Sequence, residues 1–461
     1  MDMKQFIKRL APKGIKNLYH LLCAWYGAVK YHYPSEEMLV IGVTGTTGKS
    51  SVIHFLRQVL ESAGYKVGSL STVDFYVAGE TKMNDQKMTM LGKTQIQKYL
   101  REMADAGCDI AILETTSEGY LQSRHRFINY DTIVLTGLYP EHIEAHGGFE
   151  NYKKAKLGIF EYVASQKGRD ALQCVCTKSL KSVKTAIVNG DSEYANEFLS
   201  FGFDKKILFR MNTDTQIDAN AQITDHRSLI THLLSQKHSV DSSGLHFFLN
   251  DTQFDAPLYG EYNIMNLLAV IAVARELDIS WSVIQKAIAN IKSAPGRIEF
   301  IKEAETLGFK VIVDYAYEPK ALEGLYKVVD LLKPKRVIHV CGSTGGGRDK
   351  GRRAPIGELV GQKADVVIVT NEDPYDEDPV EIIKQVSAGA QKVGKMLDKN
   401  LFEILDRREA IAKAIGLAKK GDLVLVTGKG SEQAMCVGGG KMVAWDDRGI
   451  VKEILQKLNR N

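Results

Sequence analysis

The sequence has no excess of charge of either sign. Lys and Arg number 60 against 56 Asp and Glu, a formal net charge of +4 over 461 residues. That is too balanced to argue for a nucleic-acid partner. Cysteine is sparse and scattered. Of the six, only Cys174 and Cys176 are close, and their C-x-C spacing lacks the second pair a zinc site needs. Reduced, buried thiols in a cytoplasmic setting are the expectation. No apolar run reaches bilayer-spanning length, and the N-terminus has no small-residue cleavage site after its apolar part, so neither a transmembrane segment nor a secretory signal is expected. Internal repeats and low-complexity segments are missing too. The composition, 44% hydrophobic and 25% charged, is that of a globular protein with length for two or three domains.

The most informative stretch present is 42–51, GVTGTTGKSS. It follows apolar Met38-Leu39-Val40-Ile41 and precedes the helical spacing of Val52, Phe55, Leu56, Val59 and Leu60. Strand, glycine loop, helix is the order of a phosphate cradle. The glycines let backbone N–H groups converge, and the new helix adds its positive end. Gly45, Thr46, Thr47, Gly48, Lys49, Ser50 and Ser51 are therefore candidate nucleotide-binding residues, with Lys49 on the outer phosphates and the Ser50 hydroxyl on Mg²⁺. The spacing departs from strict G-x-x-x-x-G-K-[ST], because Val43 stands where the first glycine belongs.

Downstream, apolar runs at 110–113, 132–136, 185–188, 311–313, 337–340, 366–369 and 423–426 read as strands, with helical patterns at 94–106, 319–332 and 407–419 among them. This predicts an α/β fold of mostly parallel sheets covered by helices on both faces. The polar stretch 205–257 reads as a small antiparallel insertion. Ser293-Ala294-Pro295-Gly296 punctuates the chain after a helix over 281–291. The expected organisation is a helical N-terminal extension (1–37), a P-loop central domain with a mostly parallel sheet (38–296) and a Rossmann-like C-terminal domain (297–461) with its own glycine turn at 342–347. Residues 6–33 are basic and rich in Leu, Tyr and Trp. They leave two readings open: a helix packed on the protein body, which is preferred, or an interfacial helix in peripheral contact with the membrane.

Glu114 ends the run at 110–113, which aims its carboxylate at the crevice where ligands sit in such sheets. His142 follows the next run. With Ser50, these residues can hold Mg²⁺ between phosphates and a second substrate. Lys156 falls on a helix that starts soon after His146-Gly147-Gly148, where most lysines are solvated.

Taken in chain order, these segments resemble the Mur ligase family, the ATP-dependent amide-bond ligases of peptidoglycan precursor synthesis, and within it the tripeptide-forming branch. The resemblance runs from residue 38 to the end. It rests on GTTGKS at 45–50, Glu114-Thr-Thr-Ser117, Thr136-Gly-Leu-Tyr-Pro-Glu-His142, Tyr152-Lys-Lys-Ala-Lys156, Gly260-Glu-Tyr-Asn263 with Asn266, and Pro295-Gly-Arg297. Further on it rests on Asp314-Tyr-Ala316 with Pro319, Arg348-Asp-Lys-Gly351, Arg407, Gly428-Lys-Gly-Ser-Glu432 and Asp447-Arg448. The resemblance implies ATP as a substrate and Mg²⁺ at two sites held by Ser50, Glu114, His142 and a carbamylated Lys156, with Lys49, Glu114, His142 and Lys156 as catalytic residues. It implies that Asn263, Asn266, Arg297 and Asp314 contact ATP. It further implies that Thr89, Ser117, Arg348, Glu372, Asp373, Tyr375, Gly428 and Glu432 contact the acceptor or the incoming amino acid. The implied partners are ATP, an amino acid and a muramoyl-peptide precursor. The enzyme would be cytoplasmic and monomeric, with two domains that close to exclude water.

Several positions depart from the family pattern. Only residues 1–37 precede the loop strand, so the family's UDP-binding N-terminal domain is expected to be missing, and the acceptor's carrier group is open. Glu372-Asp373-Pro374-Tyr375 stands where diaminopimelate-adding enzymes carry DNPR. Tyr375 lacks the arginine's charge. The acids Glu372, Asp373, Asp376, Glu377 and Asp378 either suit a side-chain amine, as in lysine or ornithine, or dress a helix N-terminus. Glu118, Glu141, Tyr317 and Ser431 also replace family residues. Two other readings stay open: an amide ligase of the same superfamily in peptide recycling or of folylpolyglutamate type, and a non-catalytic ligase-like subunit.

Overall fold

The computed structural model describes residues 13–86, 88–139, 146–166, 183–211, 229–249, 251–347 and 350–458. The chain divides into two compact units. One comprises Met1–Lys82, Met88–Ser239 and Gly244–Lys292, and the other Met83–Lys87, Val240–Ser243 and Ser293–Asn461. The break at residue 293 falls in the Ser-Ala-Pro-Gly stretch.

The large sheet has eleven strands in the order β11-β10-β9-β8-β7-β6-β1-β5-β2-β3-β4. They are β1 (Leu39–Thr44), β2 (Val67–Leu70), β3 (Asp74–Val77), β4 (Glu80–Met83), β5 (Ile110–Glu114), β6 (Thr132–Leu135), β7 (Thr185–Asn189), β8 (Lys205–Arg210), β9 (Leu229–Asp241), β10 (Gly244–Leu249) and β11 (Thr252–Ala256). Every residue of β1 is buried, as a strand covered on both faces requires. It pairs in parallel with β5 and β6, with Val43 opposite Glu114 and Thr44 opposite Leu135. That register brings the carboxyl ends of three strands level where the glycine loop begins.

The segment from 205, read from its polarity as an antiparallel insertion, instead begins by extending the sheet. β8 runs parallel to β7 and β9, while β10 and β11 pair antiparallel. The charged flanks Lys205, Lys206 and Arg210 hid the Ile207-Leu208-Phe209 core of β8, whose three side chains are buried.

Helices α1 (Lys13–Lys30), α2 (Lys49–Ser62), α3 (Lys93–Asp105), α4 (Ser117–Leu121), α5 (Phe149–Ala164), α6 (Ala195–Leu199), α7 (Tyr262–Glu276) and α8 (Trp281–Ala289) belong to this unit. α7 is apolar all round, buried from Ile264 to Ala274 apart from Met265, and packs on α2. α1 packs on α3 through small residues. Gly27 is there because a Cβ would come 2.9 Å from Thr94 Cα. A core that includes Val40, Leu113, Ile133, Leu135, Phe160 and Phe198 fills one face of the sheet. No helix among the described residues is long and apolar enough to cross a membrane.

The second unit holds a six-stranded sheet in the order β12-β13-β17-β14-β15-β16. Its strands are β12 (Glu299–Phe300), β13 (Lys310–Asp314), β14 (Val337–Cys341), β15 (Val366–Thr370), β16 (Leu401–Ile404) and β17 (Leu423–Thr427), followed by a hairpin of β18 (Ala434–Val437) and β19 (Lys441–Ala444). β12 is antiparallel to β13, and the other pairings in the sheet are parallel. The helices are α9 (Pro319–Leu332), α10 (Arg353–Lys363), α11 (Pro379–Lys392), α12 (Arg407–Leu417) and α13 (Asp447–Leu458). Val311, Val313, Ile338, Val340, Ile411 and Val424 belong to its core.

One fully buried ion pair ties this unit's carboxyl end together. Arg407 opens α12 and Asp447 opens α13, and the guanidinium grips the carboxylate twice, Nε to Oδ1 at 2.9 Å and Nη2 to Oδ2 at 2.7 Å. Nη2 also donates to the Thr427 carbonyl at 2.7 Å, and Trp445 Nε1 donates to Asp447 Oδ1 at 2.8 Å. Two helix starts are thereby fixed to the end of β17. Replacing Asp447 by Ala leaves an uncompensated buried charge, and urea unfolding should record a loss of about 3–5 kcal/mol. The apolar pair Arg407→Met with Asp447→Leu should lose less. A single-variant loss under about 1 kcal/mol would contradict the assigned burial.

Candidate functional site

The loop after β1 is shaped by residues that a side chain would obstruct. At Gly45 (φ +148°) a Cβ would lie 1.9 Å from Thr136 Oγ1, and at Gly48 (φ +82°) 2.4 Å from Asn266 Oδ1. Only glycine tolerates both the backbone and the contact. The wall opposite is built from the β6 end and from α5. Thr46 N donates to the Gly137 carbonyl at 2.9 Å. Thr136 Oγ1 donates to the Thr47 carbonyl at 2.6 Å, Tyr139 OH to Thr47 Oγ1 at 2.7 Å, and Tyr152 OH to Thr46 Oγ1 at 3.2 Å. Asn266 Nδ2 donates to Asn263 Oδ1 at 2.9 Å, so both asparagines of α7 stand beside the loop's last turn. Ser51 follows on the first turn of α2.

The candidate metal and catalytic groups converge here. Ser50 Oγ donates to Glu114 Oε2 at 2.9 Å. The same oxygen accepts from Thr72 N at 2.7 Å and Thr72 Oγ1 at 3.0 Å. With the Thr72 proton committed to Glu114, Thr72 Oγ1 accepts from Thr89 Oγ1 at 3.1 Å, which ties Thr89 to the same cluster. Lys49 Nζ lies 4.0 Å from Glu114 Oε1 and donates to the carbonyls of Gly45 (3.2 Å) and Thr46 (3.0 Å). Lys156, read from sequence as an ordinary surface position apart from the resemblance, is buried. Its Nζ donates to the Gly45 carbonyl at 2.8 Å and to Thr44 Oγ1 at 3.4 Å, 4.8 Å from the Tyr152 ring centroid. Ser117 opens α4, and its Oγ sits 3.1 Å from His146 Nε2. His142 lies outside the described residues, as do Arg348, Glu141, Cys174 and Cys176.

The remaining candidates lie in the second unit, around the carboxyl ends of β13, β15 and β17. Asp314 accepts from the backbone N–H groups of Ile298 (2.7 Å) and Ala316 (2.8 Å), and burial pushes its carboxyl up against the pull of Arg297. Arg297 stacks 4.3 Å over the Tyr315 ring, and Tyr315 OH donates to Glu432 Oε1 at 3.1 Å. Glu372 is buried after β15, and Gly428 lies so close that a Cβ there would come 2.2 Å from Glu372 Oε2. That oxygen has no hydrogen-bond partner among the described residues.

The acidic cluster does not stand free for an amine. Lys429 Nζ takes both oxygens of Asp373 at 3.0 Å and also bonds Glu432. Glu377 pairs with Arg353 (3.0 Å) and Lys350 (3.1 Å). Asp376 accepts from Gly439 N at 2.8 Å, and Asp378 caps α11 through Val380 N at 2.9 Å. Glu372 alone of the five is not bound in this way. Tyr375 holds a left-handed backbone (φ 53°), and its N–H donates to the Cys436 carbonyl at 3.1 Å.

Beside this glycine loop with its hydroxyl–carboxylate pair and buried lysine, and the second parallel-sheet unit, stand matches to known proteins. The family profile described as Mur ligase middle domain covers residues 43–274, and that described as Mur ligase, glutamate ligase domain, covers 296–430. The chain belongs to the Mur ligase family. Members are ATP-dependent, ADP-forming amide ligases. Among relatives, the UDP-N-acetylmuramyl-tripeptide synthetase of Roseiflexus sp. (strain RS-1) is 32% identical over 453 residues, 97% of this chain and 83% of its own. The UDP-N-acetylmuramoyl-L-alanyl-D-glutamate--2,6-diaminopimelate ligase of Clostridium tetani (strain Massachusetts / E88) is 29% identical over 428 residues, 93% and 80%. A solved structure of a UDP-N-acetylmuramoyl-L-alanyl-D-glutamate--2,6-diaminopimelate ligase shares the fold, with TM-score 0.59 and 24% identity over 92% of this chain and 79% of its own.

In this Mur ligase, sequence reasoning missed Thr72 and Tyr139 as site residues. Thr72 is a lone threonine in a turn after β2, with no periodicity or glycine to mark it. Tyr139 sits in the segment quoted for His142, and its contact with Thr47 became visible only through the fold.

Glu372 gives a pH signature. Burial pushes its carboxyl from the usual 4.5 up to about 7, against the pull of Arg407 and Lys429. Below that window folded and unfolded chains both hold the proton. Within it only the folded chain does, so stability falls as pH rises from about 4.5 to 7. Urea midpoints measured across this range should fall, and Glu372→Gln should flatten the slope. An unchanged slope in the variant would assign the effect elsewhere.

Proposed function

We propose that this Mur ligase adds an amino acid to a muramoyl-peptide precursor in peptidoglycan synthesis, in the cytoplasm. The observation that carries this reading is the meeting of Ser50, Glu114, Lys49 and Lys156 at one glycine loop. The peptide carboxylate attacks the γ-phosphorus of ATP, the bond to ADP breaks, and an acyl phosphate forms. The amine nitrogen then attacks the acyl carbon, the tetrahedral oxyanion collapses, phosphate leaves, and the nitrogen gives up a proton. Two anions must be brought together, and protein cations offset their repulsion.

The loop N–H groups and Lys49 would hold the β- and γ-phosphates, with Asn263 and Asn266 toward the adenine end. Ser50 and Glu114 are hard oxygen donors 2.9 Å apart, the donor type Mg²⁺ takes, and they fit that ion. Among the described residues no group of three or more His, Cys, Asp or Glu surrounds a common point, so phosphate and water oxygens would complete the shell. When bound, Mg²⁺ supplies charge neutralisation at the transferred phosphoryl group. Thr72 keeps the Glu114 carboxylate turned toward Ser50. Lys156 fits carbamylation: a carbamate keeps one N–H for the Gly45 carbonyl while it turns a buried cation into an oxygen ligand.

A UDP-N-acetylmuramyl-tripeptide synthetase and a diaminopimelate ligase are similar to this chain at 32% and 29% identity. Tyr375 brings no charge for a distal carboxylate, which supports an amino acid other than diaminopimelate. The pairing of Asp373 with Lys429 and of Glu377 with Arg353, and the capping role of Asp378, support the helix-start reading of these acids over a pocket for lysine.

ADP release from ATP, Mg²⁺ and a muramoyl-dipeptide should depend on the amino acid supplied, with product mass identifying it. Clear preference for diaminopimelate would reverse the reading of Tyr375, and no turnover with any amine would overturn the ligase assignment. Lys156→Ala should lower ligation by at least about 100-fold while nucleotide binding, followed by calorimetry, stays within about threefold. Full ligation in that variant would remove Lys156 from the site.

A further inference from the structure

Helix α1 is inverted. A surface helix turns its large apolar side chains to the core. In α1 the small residues Ala24, Gly27 and Ala28 are buried, and Gly27 lies against α3. The large ones, Ile15, Leu18, Leu22, Trp25, Tyr26 and Val29, are 41–60% exposed. Their spacings of three and four residues align them on one stripe along a helix of about 27 Å. So long a contiguous apolar face is not an ordinary surface.

Charge indicates what covers it. α1 contains no Asp or Glu, and its charged residues are Lys13, Lys16 and Lys30. The twelve residues before it add Lys4, Lys8 and Arg9 against Asp2 alone. Lys30 Nζ stands 5.9 Å from the Tyr26 ring centroid, at the edge of the stripe. Protein interfaces are depleted in lysine, whereas helices lying in a bilayer surface combine flanking lysines with Trp and Tyr at headgroup depth. We propose that α1 docks the protein on the surface of an anionic lipid bilayer, with its Leu–Trp–Tyr stripe among the headgroups and Lys16 and Lys30 against the lipid phosphates. This is independent of the ligase reading.

The full chain is mixed with phosphatidylcholine vesicles with or without phosphatidylglycerol, and the bound fraction is read by co-sedimentation. Binding should require the anionic lipid and weaken with salt. Lys16→Gln with Lys30→Gln should weaken it roughly tenfold. Leu22→Gln with Trp25→Gln should weaken it by at least about tenfold, with an unchanged thermal midpoint to show that the fold is intact. Absence of binding at low salt, or equal binding by the Leu22/Trp25 variant, overturns the proposal. Sedimentation that shows a dimer broken by the same variant, without vesicle binding, would assign the face to a second copy of the chain and overturn it equally.

Discussion

The parallel register of β1 against β5 and β6 is the constraint on which the first unit's chemistry depends. Val43 opposite Glu114 and Thr44 opposite Leu135 bring three strand ends to one line, from which the glycine loop and its wall emerge. A side chain's face follows its place along a strand, so a one-residue slip would turn Glu114 away from Ser50. The burial of β1 on both faces and the apolar girth of α7 beneath the loop hold that register. Thr72 then fixes the last degree of freedom by holding the carboxylate through two hydrogen bonds.

Much of this was legible in the sequence because it rests on short-range rules. The seven apolar runs became parallel strands, since continuous burial leaves no alternation to misread. GTTGKS declared its loop through glycine and lysine spacing. Glu114 could be aimed from its place at a strand end. What failed to show depends on contacts distant in sequence. β8 was hidden behind Lys205, Lys206 and Arg210, which reach the ends of a buried strand. Thr72 meets Glu114 across 42 residues, and no local pattern marks such a partner.

The acids after β15 illustrate the same limit in electrostatic form. Counted along the chain they suggest a negative pocket. In the fold, Lys429 neutralises Asp373, Arg353 and Lys350 hold Glu377, and Asp378 is consumed as a helix cap. Composition reports charges, whereas the structure reports what is left of them after pairing. Here Asp376 and Asp378 keep their charge on backbone N–H groups, and Glu372, walled by glycine at position 428, is shifted toward its neutral form by burial.

The Gly45 carbonyl accepts from two lysines at once, Lys49 at 3.2 Å and Lys156 at 2.8 Å. A single backbone oxygen therefore joins the loop's own lysine to a group buried on a neighbouring helix. Loss of either donor leaves the other in place, and Lys49 keeps a further anchor at the Thr46 carbonyl, 3.0 Å away. The bend at Gly45 is thus fastened redundantly, and a carbamate at Lys156, which keeps an N–H, would change the charge behind the loop without unfastening it.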